Sequence, residues 1–305
     1  MTLLIIEQLL NGLQFGLMLF LLAAGLTLVF GVMDVINLAH GSLYMIGAFL
    51  MAGIAALTGS FWMALPLALA ATAGLAWLLE ISLIKTLYRR DHLTQVLATF
   101  ALILIANDVV RLIWGSQPLP LNAPEALAGP VELLPGLLYP AYRLLIIACG
   151  AGVAIALFLL INHTQLGMWL RAGASDREMA EILGVKVKPL FAVLFAFGGA
   201  LCALAGALLG PLSSVQIGMG EHILIPAFVV VVIGGIGSIR GAFAGALLVG
   251  MADTLGRAFL PMVLREIFSA SVASNLGPAL ASMLIYLLMA LVLFFRPAGL
   301  FPARG

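Results

Sequence analysis

The residues most able to do chemistry in this chain are polar side chains stranded in apolar runs. The densest group is Asp34–Val35–Ile36–Asn37–Leu38–Ala39–His40–Gly41–Ser42. An ionisable or strongly polar group at membrane depth is costly, so each one is a functional suspect. Asp34, Asn37, His40, Gly41 and Ser42 suit a helix break whose freed amides and side chains line a passage for a solute. The alternative is a turn at the membrane edge, closed by local Asx hydrogen bonds. A second break is expected in VVIGGIGSIRGAFAG. There Gly234, Gly235 and Gly237 permit an unwound turn, and Ser238 can bond a solute or a neighbouring backbone. Tight helix packing, with Gly241 and Gly245 at small-xxx-small spacing, explains the same glycines without a solute. The two breaks are candidates for counterparts in two related halves, but the match between them is too thin to establish a repeat.

Other charged groups read as structural. Asp108 and Arg111, on one face with Asn107, are three apart; Asp253 and Arg257 are four apart. Both spacings allow an ion pair on one helix face. Glu80 and Lys85 lie near a span end, where long side chains snorkel to water. Catalytic signatures are missing. No G-x-x-x-x-G-K-[ST] occurs, and GGIGSIRG lacks the lysine of a phosphate loop. The four histidines (His40, His92, His163, His222) are scattered and no H-E-x-x-H is present, which leaves a metal site or a hydrolase centre little support. Cys149 and Cys202 fall in apolar runs and read as small hydrophobes.

One stretch is different in kind. Residues 171–189 read RAGASDREMAEILGVKVKP, with seven charged side chains between Arg171 and Lys188 and long apolar runs on both sides. Ser175 and Glu178 fit the S-x-x-E capping box. Asp176 adds negative charge at the positive helix end. Met179, Ile182 and Leu183 form one apolar stripe at helical spacing, and Gly184 suits a left-handed C-terminal cap. So short a helix is marginal in water. Its stripe either rests on the ends of neighbouring membrane helices or docks into a groove of a soluble partner.

The elements that position these groups follow from composition. The chain has 305 residues, 64% of them hydrophobic and 9% charged. A soluble domain is about 45–50% apolar and about 25% charged, so the bilayer is the natural solvent. Apolar runs predict helices at about 9–33, 42–59, 62–84, 93–114, 142–162, 189–210, 223–239, 241–260 and 275–295. The pair 223–239 and 241–260 is short, glycine-rich and interrupted by Arg240, so the range is eight or nine spans. The expected fold is an all-α, polytopic transmembrane bundle with broken helices, forming a single domain over 1–305. Helices are required because backbone groups in lipid must be satisfied within the segment. Net charge is +1 with no basic stripe, which argues against a nucleic-acid partner. MTLLIIEQLLNG has no early Lys or Arg and is not expected to be a cleaved leader.

Sidedness follows from Lys and Arg. With nine spans, Lys85, Arg89, Arg90, Arg171, Arg177, Lys186, Lys188, Arg240, Arg296 and Arg304 fall on one side, ten of the fourteen basic residues. That side is expected to be cytoplasmic, with the N-terminus outside and the C-terminus inside. The proline-rich loop 115–141 carries Glu125 and Glu132 but no basic residue and falls outside, as a structured or extended cap.

VMDVINLAHGSLYMIGAFL at 32–50, RAGASDREMAEILGVKVKPL at 171–190, VVIGGIGSIRGAFAGALLVG at 231–250 and the closing FFRPAGLF at 294–301 resemble the LivH-type permeases of bacterial branched-chain amino-acid ABC importers. The similarity runs the length of the chain, in order. It implies a permease subunit of the bacterial inner membrane, not an enzyme, that forms a pathway for branched-chain or related hydrophobic amino acids. Implied companions are a second, LivM-type permease, two cytoplasmic ATPases and a periplasmic solute-binding protein. No cofactor is implied in this chain, since ATP is bound by the partners. By the match, Arg171, Ser175, Glu178, Met179, Ile182, Leu183 and Gly184 belong to the cytoplasmic loop, 171–189, that couples to an ATPase. The loop 115–141 is periplasmic. Urea and short-amide permeases share these segments, so they are the alternative. An ion-coupled secondary transporter using Asp34, Glu80, Asp108 or Asp253 is the rival class, and a membrane enzyme is third, because no nucleophile–base pair is apparent.

Overall fold

The computed structural model describes residues 2–88, 90–266 and 268–301; Arg89 and Arg304, counted above, lie outside them, as does the side chain of Arg177. The order is α1 (Thr2–Met33), α2 (His40–Thr58), α3 (Phe61–Leu87), α4 (His92–Trp114), a hairpin of β1 (Pro130–Leu134) and β2 (Leu137–Pro140), and α5 (Ala141–His163). Then come α6 (Gln165–Ser175), α7 (Arg177–Ile182), α8 (Val187–Ser213), α9 (Met219–Gly234), α10 (Ile239–Leu264) and α11 (Ala270–Phe295). Among the described residues eight helices are long and apolar enough to cross a membrane. α9, at 16 residues, is not. The expected span 223–239 therefore becomes a shorter helix that starts four residues earlier and stops at Gly234. Arg240 does not interrupt a span; it lies in the first turn of α10.

The chain alternates between two ends of the bundle. One carries Thr58, Trp114, the β-hairpin and Ser213 (the hairpin end). The other carries Met33, His163, the charged insert and Phe295 (the insert end). The expected cap at 115–141 is this two-stranded antiparallel hairpin, preceded by a 3-10 turn at Glu125–Leu127. The bridge Leu119–Val215 ties the loop to the segment after α8.

Helix α1 is the axis. From Leu17 to Val29 nearly every side chain is buried, and α8, α10, α5 and α9 pack around it. This is why the 17–29 stretch is apolar on all faces, while Glu7, Asn11 and Gln14 share one face nearer the start of the helix. Helices α4, α5 and α11 are peripheral. Leu97, Leu104, Leu112, Leu159, Leu287 and Phe294 stand exposed on them, as lipid-facing side chains do. Close packing at the insert end rests on small residues. At Gly31 a Cβ would lie 2.2 Å from Gly237 Cα, the backbone contact that small residues allow in membranes.

Two halves repeat one order in opposite directions. In the first, α1 leads to an extended break (34–37), then short α2, α3 and α4. In the second, α8 leads to an extended break (Ser214–Gly218), then short α9, α10 and α11. Asp34 (φ 53°) and Ser214 (φ 57°) are the only left-handed non-glycine residues among those described, and each sits where its long helix ends. Asp adopts this region at low cost because its side chain bonds locally. Ser60 and Ser238 then cap α3 and α10 alike, accepting from the amides of Met63 and Gly241.

Candidate functional site

The first break is built by its neighbours. After Met33 the chain turns back and climbs beside α4. The Ile36 amide donates to Gln95 Oε1 (3.0 Å) and the Leu38 amide to Thr99 Oγ1 (3.2 Å). Those bonds replace the ladder that a broken helix loses, as buried amides require. Helix α2 starts at His40. Thus His40, Gly41 and Ser42 form its buried first turn and are not part of an edge loop. His40 lies inside the bundle: a Cβ at Gly25 of α1 would come 2.7 Å from its Nε2, and one at Gly198 of α8 3.2 Å from its Cε1. Gly25 is eight residues short of the end of α1, so the ring is about 12 Å deep at the usual helical rise.

Asn37 and His40 are both fully buried. Among the described residues neither the amide atoms of Asn37 nor the ring nitrogens of His40 have a hydrogen-bond partner. Each unmet buried polar group costs about 1–3 kcal/mol. Asp34, in contrast, is exposed at the mouth of the break.

Helix α9 meets α2 head to head. A Cβ at Gly41 would lie 2.4 Å from the Gly220 carbonyl oxygen, and one at Gly220 2.3 Å from that of Gly41. The two backbones touch, with both helix N-termini at one seam. Beside the seam Asn107 Nδ2 donates to Glu221 Oε1 (2.5 Å), joining α4 to the first turn of α9. Asn107 therefore does not act with Asp108 and Arg111, which pair on an exposed face (3.1 Å).

The second predicted break is placed differently. Gly234 is the last residue of α9, and Gly235 (φ 102°) and Gly237 (φ 80°) make the turn into α10 at the insert end. The turn is closed by the tail: Leu300 and Phe301 amides donate to Ile233 and Gly234 carbonyls (2.8 and 3.0 Å). Ser238 caps α10 through the Gly241 amide (3.1 Å). None of the four joins Asn37 and His40. The structural counterpart of the first break is 214–218, and sequence reading passed over it. The signal was present. Asn37–Leu–Ala–His–Gly–Ser–Leu–Tyr–Met–Ile–Gly–Ala–Phe49 aligns with Gln216–Ile–Gly–Met–Gly–Glu–His–Ile–Leu–Ile–Pro–Ala–Phe228 without a gap, placing Gly41 against Gly220.

On the hairpin side of the seam lies a cavity of about 480 Å³. Its lining includes Tyr44 of α2, Ser214 and Gln216 of the second break, and His222 of α9. Asp253 and Arg257 of α10 line it too, and pair as expected (Nε to Oδ2, 2.8 Å). Glu80 departs from expectation. It is buried at a π-helical turn and accepts from the Tyr88 hydroxyl, so it does not snorkel.

At the insert end the charged segment forms two helices. α6 is amphipathic and buries Gly167, Leu170 and Gly173. Arg171 donates to the Ile161 carbonyl near the end of α5, tying the corner between α5 and α6. Ser175 is the last residue of α6. Asp176 is the cap of α7, its carboxylate accepting from the Met179 amide (2.9 Å). This corrects the Ser175–Glu178 capping box: the extended residue is Asp176 (φ −152°), and its carboxylate caps as well as a hydroxyl. The C-terminal end follows the sequence. Gly184 (φ 91°) is left-handed, and the Val185 amide reaches the Ala180 carbonyl (3.0 Å) in a Schellman closure. Ala180 is buried, while Met179, Ile182 and Leu183 are 51%, 78% and 76% exposed. The ridge has no partner within the described chain.

A family model described as the permease component of the branched-chain amino acid transport system matches residues 8–293. The high-affinity branched-chain amino acid transport permease BraD of Pseudomonas aeruginosa is 29% identical over 97% of this chain and 95% of its own length. LivH of Escherichia coli K12 is 28% identical over 97% and 94%. A probable LivH of Methanocaldococcus jannaschii is 28% identical over 78% and 76%. No solved structure matches. With its bundle of membrane-crossing helices and a family match that covers nearly all of it, the chain belongs to the permease components of branched-chain amino acid transport systems.

Proposed function

We propose that this chain is one of two permease subunits of an ATP-driven importer in the bacterial inner membrane and forms part of the pathway for branched-chain amino acids. Its N-terminus lies outside and its C-terminus in the cytoplasm. A LivM-type permease stands beside it, a periplasmic binding protein delivers solute to the hairpin end, and two ATPases act at the insert end. ATP is bound and hydrolysed by those ATPases, and this chain needs no cofactor of its own.

The observation that carries the reading is the exposed ridge of Met179, Ile182 and Leu183 on a helix fixed at both ends. Exposed aliphatic side chains at the rim of a bundle are suited to a hydrophobic groove on a soluble protein. Rigid capping lets a push on α7 reach α8, which starts five residues later and packs on α1, α2 and α3. Helix α8 also holds Gly198 against His40, so movement of the insert reaches the first break. The unmet hydrogen-bonding capacity of Asn37 and His40 supports a role for the break in passing a polar head group, and Asp34, Gly41 and Ser42 flank it. Gly234, Gly235, Gly237 and Ser238 serve as a packed turn near the ATPases.

The test is Met179→Asp with Leu183→Asp. The variant should insert in membranes and lose the co-purifying ATPases and ATP-dependent uptake. ATPases that co-purify at wild-type levels would reject the reading.

A further inference from the structure

Deepening that reading, and resting on its solute class, we infer that the cavity at the hairpin end receives a zwitterionic α-amino acid, with Asp253 taking the ammonium group and Arg257 the carboxylate. Its volume, about 480 Å³, falls in the range of about 300–1,000 Å³ usual for small-molecule sites. It lies on the side from which a periplasmic donor would approach and ends on the seam where Gly41 meets Gly220.

The two ions are only partly engaged with each other. Arg257 uses Nε for Asp253 Oδ2. Among the described residues its terminal amino groups have no further hydrogen-bond partner, and neither has Asp253 Oδ1. A guanidinium carries five N–H donors in a planar fork that matches a carboxylate. A zwitterion inserted at the pair satisfies both remaining valences with charge-assisted bonds. Urea or a sugar, with no formal charge, offers each ion only a neutral and weaker hydrogen bond. While the site is empty, the pair keeps net charge near zero and so limits the desolvation cost of Asp253, which is 8% exposed.

A clamp that only stabilises α10 is a weaker account. An i,i+4 pair on a helix surface contributes little to stability, which does not explain a carboxylate buried at the wall of a cavity. The rest of the wall suits an aliphatic side chain: Phe15, Ile223, Val249 and Ile285 line it. Met219, first residue of α9, stands on the same lining.

The experiment uses the intact transporter, purified with its companions, reconstituted in proteoliposomes and supplied with leucine-loaded binding protein. Asp253→Asn and Arg257→Gln should each lower radiolabelled leucine uptake about tenfold or more, the loss of one charge-assisted bond. ATP hydrolysis stimulated by the binding protein should persist, and Asp253→Glu should recover part of the uptake. Ser282→Trp, which fills the cavity from α11 and leaves both ionic side chains in place, should block uptake in the same way. The inference is overturned if Asp253→Asn and Arg257→Gln carry leucine at the wild-type rate. It is equally overturned if uptake falls only in step with loss of assembled complex. Wild-type complex that carries urea and not leucine would instead overturn the solute class, and this inference with it.

Discussion

Replacing Gly220 by alanine places a methyl group 2.3 Å from the Gly41 carbonyl oxygen, 2.7 Å from its carbon and 3.2 Å from the Ser42 amide nitrogen. Each partner is backbone, so no side chain can rotate away. The nearest contact is roughly 1 Å short of ordinary van der Waals separation. The first turns of α2 and α9 must therefore part, and His40, in that turn, is drawn from its slot between Gly25 and Gly198. Overpacking of this kind costs about 1–3 kcal/mol. Gly74 and Gly152 supply the control, because a Cβ at either meets nothing within 4 Å. Alanine there should be neutral or stabilise by up to about 1 kcal/mol, through helix propensity alone. Thermal unfolding of the purified permease in detergent compares the three. Gly220→Ala should melt several degrees below the wild type, and Gly74→Ala and Gly152→Ala at or above it. The double variant Gly41→Ala, Gly220→Ala should cost less than the two singles added, since one separation relieves both clashes. Equal melting of Gly220→Ala and Gly74→Ala would refute the direct contact between the two helix ends.

Further expectations follow from the same geometry. Asn37→Leu removes a buried amide without a protein partner, so the melting temperature should hold or rise while transport falls; paired melting and uptake measurements check it. Asp176→Ala should cost α7 about 1 kcal/mol and Ser175→Ala almost nothing, read as hydrogen exchange of residues 177–183. Asp91 caps α4 and is hydrogen-bonded by the Thr94 hydroxyl (2.6 Å) and amide, which hold its carboxyl below the ordinary 3.8. A carboxyl with a depressed folded value contributes stability above its unfolded value and loses it as pH falls through the folded one. Fraying of residues 92–96 should thus increase in acid below that value. Asp91→Asn should remove the pH dependence of exchange there, after correction for intrinsic rates.

Helix positions were legible because lipid leaves the backbone few options. The runs at 93–114 and 142–162 match α4 and α5 within a residue. The apolar ridge and the Gly184 cap were legible because capping chemistry is local. Three things were not. Ser175 and Asp176 are adjacent and both can cap; which one is extended depends on where α6 ends, and that is set by its packing on α5 and α1. The break at 214–218 escaped because Ser213, Ser214 and Gln216 read as an ordinary loop between apolar runs. The meeting of Gly220 with Gly41, 179 positions apart in the sequence, marks it as the counterpart of the first break and gives the faint alignment of 37–49 with 216–228 its meaning. The glycines at 234, 235 and 237 drew attention by number, but a turn and a folded-back tail use them.

The enclosure of α1 has a consequence for assembly. This helix precedes every other described element in the chain, yet its natural neighbours α8, α9 and α10 are made more than 150 residues later. On leaving the translocon it meets lipid on faces that the finished protein reserves for other helices. Its middle, from Leu17 to Val29, is apolar on every side and lets it wait there without harm until the second half arrives to embrace it.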